Sequence, residues 1–300
     1  MPFVKTNSLY NEEVKLYYED LGNGQPVIFI HGWPLSGDMW EYQVTELVKL
    51  GLRCITYDRR GFGKSSRPLH GYDYDTLADD LNAIINELQL RDVVLVGFSM
   101  GGGEVVKYLS KYRSSRVARA VLISAVTPYL LKTDDNPEGI DEEIFAEMLE
   151  SMQNDRIAFL DEFGKQFFSI SMLHHPVSAP LLEYYRALAA FASPIATQEC
   201  AKAFAQTDFR NDVKAINIPL LIIHGDSDKT VPIEASGNRT AAAVPGATYI
   251  VYEGAPHGLF YTHRQQLNAN LVEFINGGGV TVLPSEEEMD VLPSNSPLAV

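Results

Sequence analysis

Ser99 stands in Gly97-Phe98-Ser99-Met100-Gly101, a G-x-S-x-G pattern in which a serine on a sharp strand-to-helix turn can act as a nucleophile. The pattern alone is common, and its weight comes from its setting. An apolar run from Asp92 to Val96 leads straight into it, and a helical pattern begins at once after it. So sharp a turn crowds the residues two positions either side of the serine, and both are glycine, with Gly102 and Gly103 extending the small surface. The Met100 N–H falls at the positive end of the new helix, where it can stabilise a developing oxyanion. The competing reading is a plain turn with a capping serine.

A serine nucleophile needs a base and a group that orients the base, and in this topology both follow the serine in the chain. Among seven histidines, His257 in Gly254-Ala-Pro-His-Gly258 has the best setting, a glycine-bounded loop after a strand ending at Tyr252. His31 and His224 end apolar strands and read as structural. His70 and His263 carry no signal, and His174-His175 lack the helical spacing of a metal-binding pair. For the acid, Asp226 and Asp228 both lie just past a strand in His224-Gly-Asp-Ser-Asp-Lys-Thr230, and residue chemistry does not separate them. One is expected to orient His257 and the other to hold the turn. A second oxyanion donor is expected from the Trp33 N–H in His31-Gly-Trp-Pro34, because Pro34 fixes its own φ and keeps Trp33 extended. Gly61-Phe-Gly-Lys-Ser65 imitates part of a phosphate-binding loop. Asp58 stands where that motif requires its first glycine, and Arg67-Pro68 follows in place of a helix.

The elements that must position these residues read as alternating strands and helices. Val14 to Glu19 alternates apolar and polar. Pro26 to His31, Leu52 to Tyr57, Asp92 to Gly97 and Val117 to Val126 are short runs apolar on both faces, as parallel strands covered by helices are. Helical spacing marks Tyr74 to Leu88 and Gly101 to Lys111. From Pro128 to about Val213 only helical signals appear, at Ile140 to Met152, Ile157 to Phe168, Ala179 to Phe191 and Thr197 to Ala205. This stretch is rich in aromatics, whose periodicity does not single out those that line a pocket. Strand patterning resumes at Pro219 to His224 and Ala247 to Tyr252, with helices around Ala235 to Val244 and Leu259 to Ile275. The expectation is an α/β fold with a mostly parallel central sheet flanked by helices. Residues 1–127 and 214–276 would form its core and 128–213 an inserted helical cap. Gly277-Gly-Gly279 breaks every periodicity, so 277–300 reads as a flexible acidic tail.

Composition narrows the function classes. With 46% hydrophobic and 21% charged residues the 300-residue chain is globular. A formal charge of −15 repels phosphate backbones and anionic lipid, so neither nucleic acid nor membrane is an expected partner. No apolar run approaches the 18 or so residues of a spanning helix. Met1 to Lys15 has no apolar core of a secretory signal, so a cytoplasmic location is expected. Two cysteines, Cys54 and Cys200, can build neither a disulfide framework nor a Cys-based zinc site. Neither metal nor cofactor is called for, and a homo-oligomer is compatible with the sequence.

The same segments resemble the α/β-hydrolase superfamily, and within it the cofactor-free (non-heme) haloperoxidase, arylesterase and perhydrolase branch. They are Phe29-Ile-His-Gly-Trp-Pro-Leu35, Tyr57-Asp-Arg-Arg-Gly-Phe-Gly-Lys-Ser65, Gly97-Phe-Ser-Met-Gly-Gly-Gly-Glu104, Leu122-Ile-Ser-Ala-Val126, Thr207-Asp-Phe209, His224-Gly-Asp-Ser-Asp228 with Val231-Pro232, and Tyr252-Glu-Gly-Ala-Pro-His-Gly-Leu259. The resemblance implies Ser99 as nucleophile, His257 as base, Asp228 as orienting acid, and the N–H groups of Trp33 and Met100 as oxyanion donors. It implies hydrolysis of small carboxylic esters, with hydrogen peroxide as a second acyl acceptor. Pro34 is like the haloperoxidase and perhydrolase members, while Met100 is like the arylesterases. Pro34, Phe168, Thr230 and Val231 are the expected substrate-pocket residues. A lactamase or amidase of the same fold, or a hydrolase-fold ligand receptor with little turnover, would carry much the same sequence.

Overall fold

The computed structural model describes residues 2–7 and 12–278; positions 279–300, nearly all of the expected tail, lie outside the described residues. One eight-stranded sheet organises the chain, in the order β1-β2-β4-β3-β5-β6-β7-β8. The strands are β1 (Phe3–Asn7), β2 (Glu13–Leu21), β3 (Pro26–Ile30), β4 (Arg53–Tyr57), β5 (Val93–Phe98), β6 (Val117–Ile123), β7 (Leu220–Gly225) and β8 (Thr248–Tyr252). β1 and β2 enter antiparallel, with Phe3 opposite Tyr17 and Tyr18 opposite Tyr57, and every later pairing is parallel.

Successive strand residues feed two separate cores, as the two-residue period of a strand requires. Ile28, Ile30 and Leu95 pack beneath α2 (Tyr74–Glu87) and α3 (Met100–Tyr112). Val27, Phe29, Val94 and Val96 pack against α1 (Glu41–Lys49) and α10 (Arg264–Ile275). Asp73 caps α2 by accepting from Thr76 N–H at 2.9 Å.

Between the adjacent strands β6 and β7 run α4 (Glu142–Phe167), α5 (Ala179–Phe191), α6 (Pro194–Gln206) and the short α7 (Arg210–Lys214). The two helical stretches expected over Ile140–Met152 and Ile157–Phe168 are the two halves of α4, which meet at a break. The break survives as a kink at Asp155, whose backbone is non-helical at φ −151° and ψ 90°. Asp155 Oδ1 accepts from Ile157 and Ala158 N–H at 3.1 and 3.0 Å, capping the second half of the helix. After β7 come α8 (Gly237–Ala243) and α9 (Leu259–Thr262), and α10 restarts after His263 where the sequence shows one long helix. β1 and α1 have no clear signal in the sequence. β1 is five residues completed by pairing with β2, and α1 is a nine-residue helix with two buried side chains.

Because β3, β5, β7 and β8 are parallel, their C-terminal ends lie along one edge of the sheet. The loops holding His31, Ser99, Asp228 and His257 all leave from that edge, which is where open α/β sheets bind ligands.

Candidate active site

β5 ends at Phe98 and α3 begins at Met100, so Ser99 alone makes the turn. Its φ of 54° and ψ of −118° lie in a region that non-glycine residues seldom adopt, at a cost on the order of 1–3 kcal/mol. A hydrogen bond from Ser99 N–H to Ile123 O at 2.8 Å and one from Gly102 N–H to Ser99 O at 3.0 Å hold it there. The glycines answer a steric demand. A Cβ on Gly97 would stand 2.5 Å from Gly101 O, and one on Gly101 would stand 2.5 Å from Ile30 O.

Ser99 Oγ lies 3.0 Å from His257 Nε2, and His257 Nδ1 lies 2.6 Å from Asp228 Oδ2. A carboxylate can only accept, so Nδ1 carries the proton and Nε2 presents its lone pair to the serine hydroxyl. Asp228 Oδ1 accepts from Thr230 and Val231 N–H at 2.9 and 2.8 Å. Burial opposes the charge on Asp228, but His257 and His224 outweigh it and hold the carboxyl well below the usual range. The Phe98 and Phe167 rings each sit 4.9 Å from the His257 ring. Gly258 N–H donates to Phe167 O at 2.8 Å, joining the histidine loop to the end of α4.

The two aspartates that residue chemistry left equal are separated by geometry. Asp226 is exposed and accepts from Gly254 N–H at 2.7 Å, bracing the loop that leads to His257. Missed by the sequence reading was the part of His224 in this cluster: its Nε2 donates to Val231 O at 2.9 Å and lies 3.4 Å from Asp228 Oδ2. Its place at the end of an apolar strand signalled burial but not this contact.

The loop after β3 presses against the same turn. A Cβ on Gly32 would stand 3.3 Å from Ser99 Cβ and 2.5 Å from the Phe98 ring. Among the described residues no group accepts from the Trp33 N–H, and Met100 opens α3, whose first N–H groups have no partner within the helix. Both N–H groups are thus without a protein acceptor, Met100 directly follows Ser99 in the chain, and Trp33 and Ser99 line the same cavity. This arrangement can take a proton from Ser99, attack a carbonyl carbon and receive the resulting oxyanion.

Residues 25–264 match the family model of the alpha/beta hydrolase fold. A non-heme chloroperoxidase of Kitasatospora aureofaciens is 40% identical over 265 residues, 88% of this chain and 96% of that protein. A bifunctional esterase/perhydrolase of Acinetobacter calcoaceticus is 38% identical over 265 residues, 87% and 96% of the two. The crystal structure of a bromoperoxidase from Bacillus anthracis matches with a TM-score of 0.88 at 49% identity, covering 92% of this chain and 99% of that one. The chain belongs to the α/β-hydrolase family, in its non-heme haloperoxidase and esterase branch.

In this hydrolase Ser99 opens onto a cavity of ≈ 410 Å³. Its walls are mainly apolar, with Leu130, Ile140, Phe145, Met148, Phe159 and Phe204 prominent among them. Of the four residues expected in the pocket, Thr230 and Val231 line this cavity, while Pro34 and Phe168 do not. Pro34 and Phe168 instead border a narrow crevice of ≈ 20 Å³ between α4 and α5. Phe168 is tied down there by rings of Phe167, Tyr185 and Phe260 with centroids 4.9, 5.3 and 6.2 Å away. Trp33 forms part of the cavity wall; its Nε1 donates to Thr197 O at 3.0 Å and its ring packs on Phe159, Phe163 and Phe204. No helix among the described residues is long and apolar enough to cross a membrane.

Proposed function

We propose that this protein hydrolyses small carboxylic esters through an acyl-enzyme on Ser99, and that hydrogen peroxide can replace water as acyl acceptor. The hydrogen-bonded chain from Ser99 through His257 to Asp228, opening on an apolar cavity, carries this reading. His257 takes the Ser99 proton as the oxygen attacks the ester carbonyl, and the Trp33 and Met100 N–H groups receive the oxyanion. The ester C–O bond then breaks, and His257 returns the proton to the departing alkoxide. Water, activated by the same histidine, splits the acyl-enzyme to a carboxylic acid. Peroxide in its place gives a peracid, which oxidises halide in solution. Asp228 keeps the imidazole oriented and stabilises its charge. Residues 128–213 act as a cap over a framework built from 1–127 and 214–276, and the cap's half-buried aromatics set the size of the acyl group. Support for the peroxide branch comes from the relatives, one named a bifunctional esterase/perhydrolase and another a non-heme chloroperoxidase.

Turnover of p-nitrophenyl acetate, with and without peroxide, tests this reading. The wild-type protein should release p-nitrophenol and, with peroxide, form peracetic acid. Ser99→Ala should lose both by about 10⁴-fold or more. Equal rates in wild type and Ser99→Ala would overturn the assignment.

A further inference from the structure

Behind the loop that carries Trp33 lies a fully buried polar network that touches neither the cavity nor Ser99 Oγ. His31, Arg59 and Glu104 have no exposed surface, and Tyr57 is almost as deeply buried. Arg59 Nε donates to Glu104 Oε2 at 2.9 Å, and the Tyr57 hydroxyl donates to Glu104 Oε1. The Arg59 guanidinium also donates from Nη2 to His31 O at 2.8 Å. One cation therefore ties the end of β3 to α3, and α3 begins with the Met100 N–H.

The His31 ring extends this bracing to Trp33. The Arg59 backbone N–H lies 2.9 Å from His31 Nε2. An N–H can only donate, so Nε2 holds the lone pair and Nδ1 holds the proton. Burial, followed by the Arg59 charge, holds the His31 pKa well below its usual value and keeps the ring neutral. Nδ1–H donates to Gly32 O at 2.9 Å, and Leu35 N–H donates to the same oxygen at 3.0 Å. Arg59 Nη1 stands further from Nδ1, at 3.4 Å. Gly32 O and the Trp33 N–H belong to one peptide group, and that bond is trans. In a trans peptide the C=O and N–H point in opposite directions. Anchoring Gly32 O behind the loop therefore aims the Trp33 N–H forward.

A buried ion pair gives little net stability, because apolar residues of like volume often replace it without loss. Its directional bonds are what apolar packing cannot supply. We propose that His31, Arg59 and Glu104 are positioning residues that hold the Trp33 and Met100 N–H groups at the oxyanion. The proposal rests on the reading of Ser99 as nucleophile and goes beyond it by assigning a rate-setting role to groups that never meet substrate.

The test compares His31→Phe, His31→Asn and Glu104→Gln in the full chain. It measures kcat and KM for p-nitrophenyl acetate and the inhibition constant of benzeneboronic acid, which forms a tetrahedral adduct with an active serine. His31→Phe keeps the ring shape but loses the Nδ1 donor. It should lower kcat by about 10²-fold, close to the loss of one oxyanion donor, with KM within about twofold. Boronic acid affinity should weaken in parallel. His31→Asn, which keeps an N–H near the place of Nδ1, should recover most of the loss, and Glu104→Gln should lower kcat by about tenfold. Unchanged kcat and boronic acid affinity in His31→Phe, or a change confined to KM, overturns the proposal. Should His31→Phe fail to fold, the same two readouts on Glu104→Gln decide it. Wild-type turnover that depends on Ser99 but ignores these substitutions overturns only the positioning role, whereas wild-type turnover that is independent of Ser99 overturns the ester-hydrolase reading itself.

Discussion

The C-terminal edge of the sheet and the helices α4 to α6 face the same cavity and are held by different forces. At the edge Ser99, Asp228 and His257 are each fixed by directional bonds: Ser99 N–H to Ile123 O at 2.8 Å, two backbone N–H groups on Asp228 Oδ1, and the Asp228 carboxylate on His257. The helices contribute Phe145, Met148, Phe159, Phe163 and Phe204, half-buried side chains held by non-directional contact. The polar ties that join the two regions include Gln166 Nε2 to Lys229 O at 3.1 Å, Gly258 N–H to Phe167 O and Trp33 Nε1 to Thr197 O at 3.0 Å. A misplacement of about 1 Å can cost a reaction about 10²-fold, and the proposed proton transfer therefore calls for the fixed geometry that directional bonds give. A cavity wall needs only the right volume and polarity, so it can be built from loosely specified aromatics.

Substitutions at the edge should be severe and those on the wall graded. Asp228→Asn should cut kcat on p-nitrophenyl acetate by about 10³–10⁴-fold, since the amide would misorient the imidazole; a loss under tenfold would mean that the edge is less exacting than drawn. Phe145→Ala enlarges the wall and should raise the ratio of kcat/KM on octanoate to that on acetate by about tenfold. A selectivity left unchanged, or a collapse of turnover on both esters, would erase the contrast. Asp226→Asn, at an exposed position, should stay within about threefold of wild type in the same assay.

Acid titration sharpens the comparison further. The Asp228 carboxyl is held below its unfolded value of about 3.9. Its contribution to stability is therefore present above that pH and lost as pH falls from about 4 through the folded value. Urea midpoints at pH 7 and pH 3 should show Asp228→Asn less stable than wild type at the first and nearer to it at the second. Phe145→Ala should show the same deficit at both, because no charge is involved.

Much of the edge was legible because its demands act on neighbouring residues. A serine between glycines, placed after an apolar run, encodes its own turn. The parallel strands were legible because burial on both faces leaves continuous apolar runs, and the kink at Asp155 showed as an interruption of helical spacing. The choice between Asp226 and Asp228 was not legible from residue chemistry. Both follow β7 within three residues, and only the placement of the β8 loop decides which carboxylate meets His257.

The wall was least legible. Phe163 and Phe168 are five residues apart in one aromatic stretch, yet one lines the cavity and the other packs under Tyr185. Composition, strand order along the chain, the sharp turn at Ser99 and the histidine loop were determined by the sequence itself, since each depends on local sterics or on a short-range polarity pattern. The partner of His257, the anchoring of Gly32 O by His31, and the residues facing the ≈ 410 Å³ cavity were decided only by the tertiary structure. Each depends on contacts between segments far apart in the chain, and a periodic pattern carries no record of which distant surface a side chain meets.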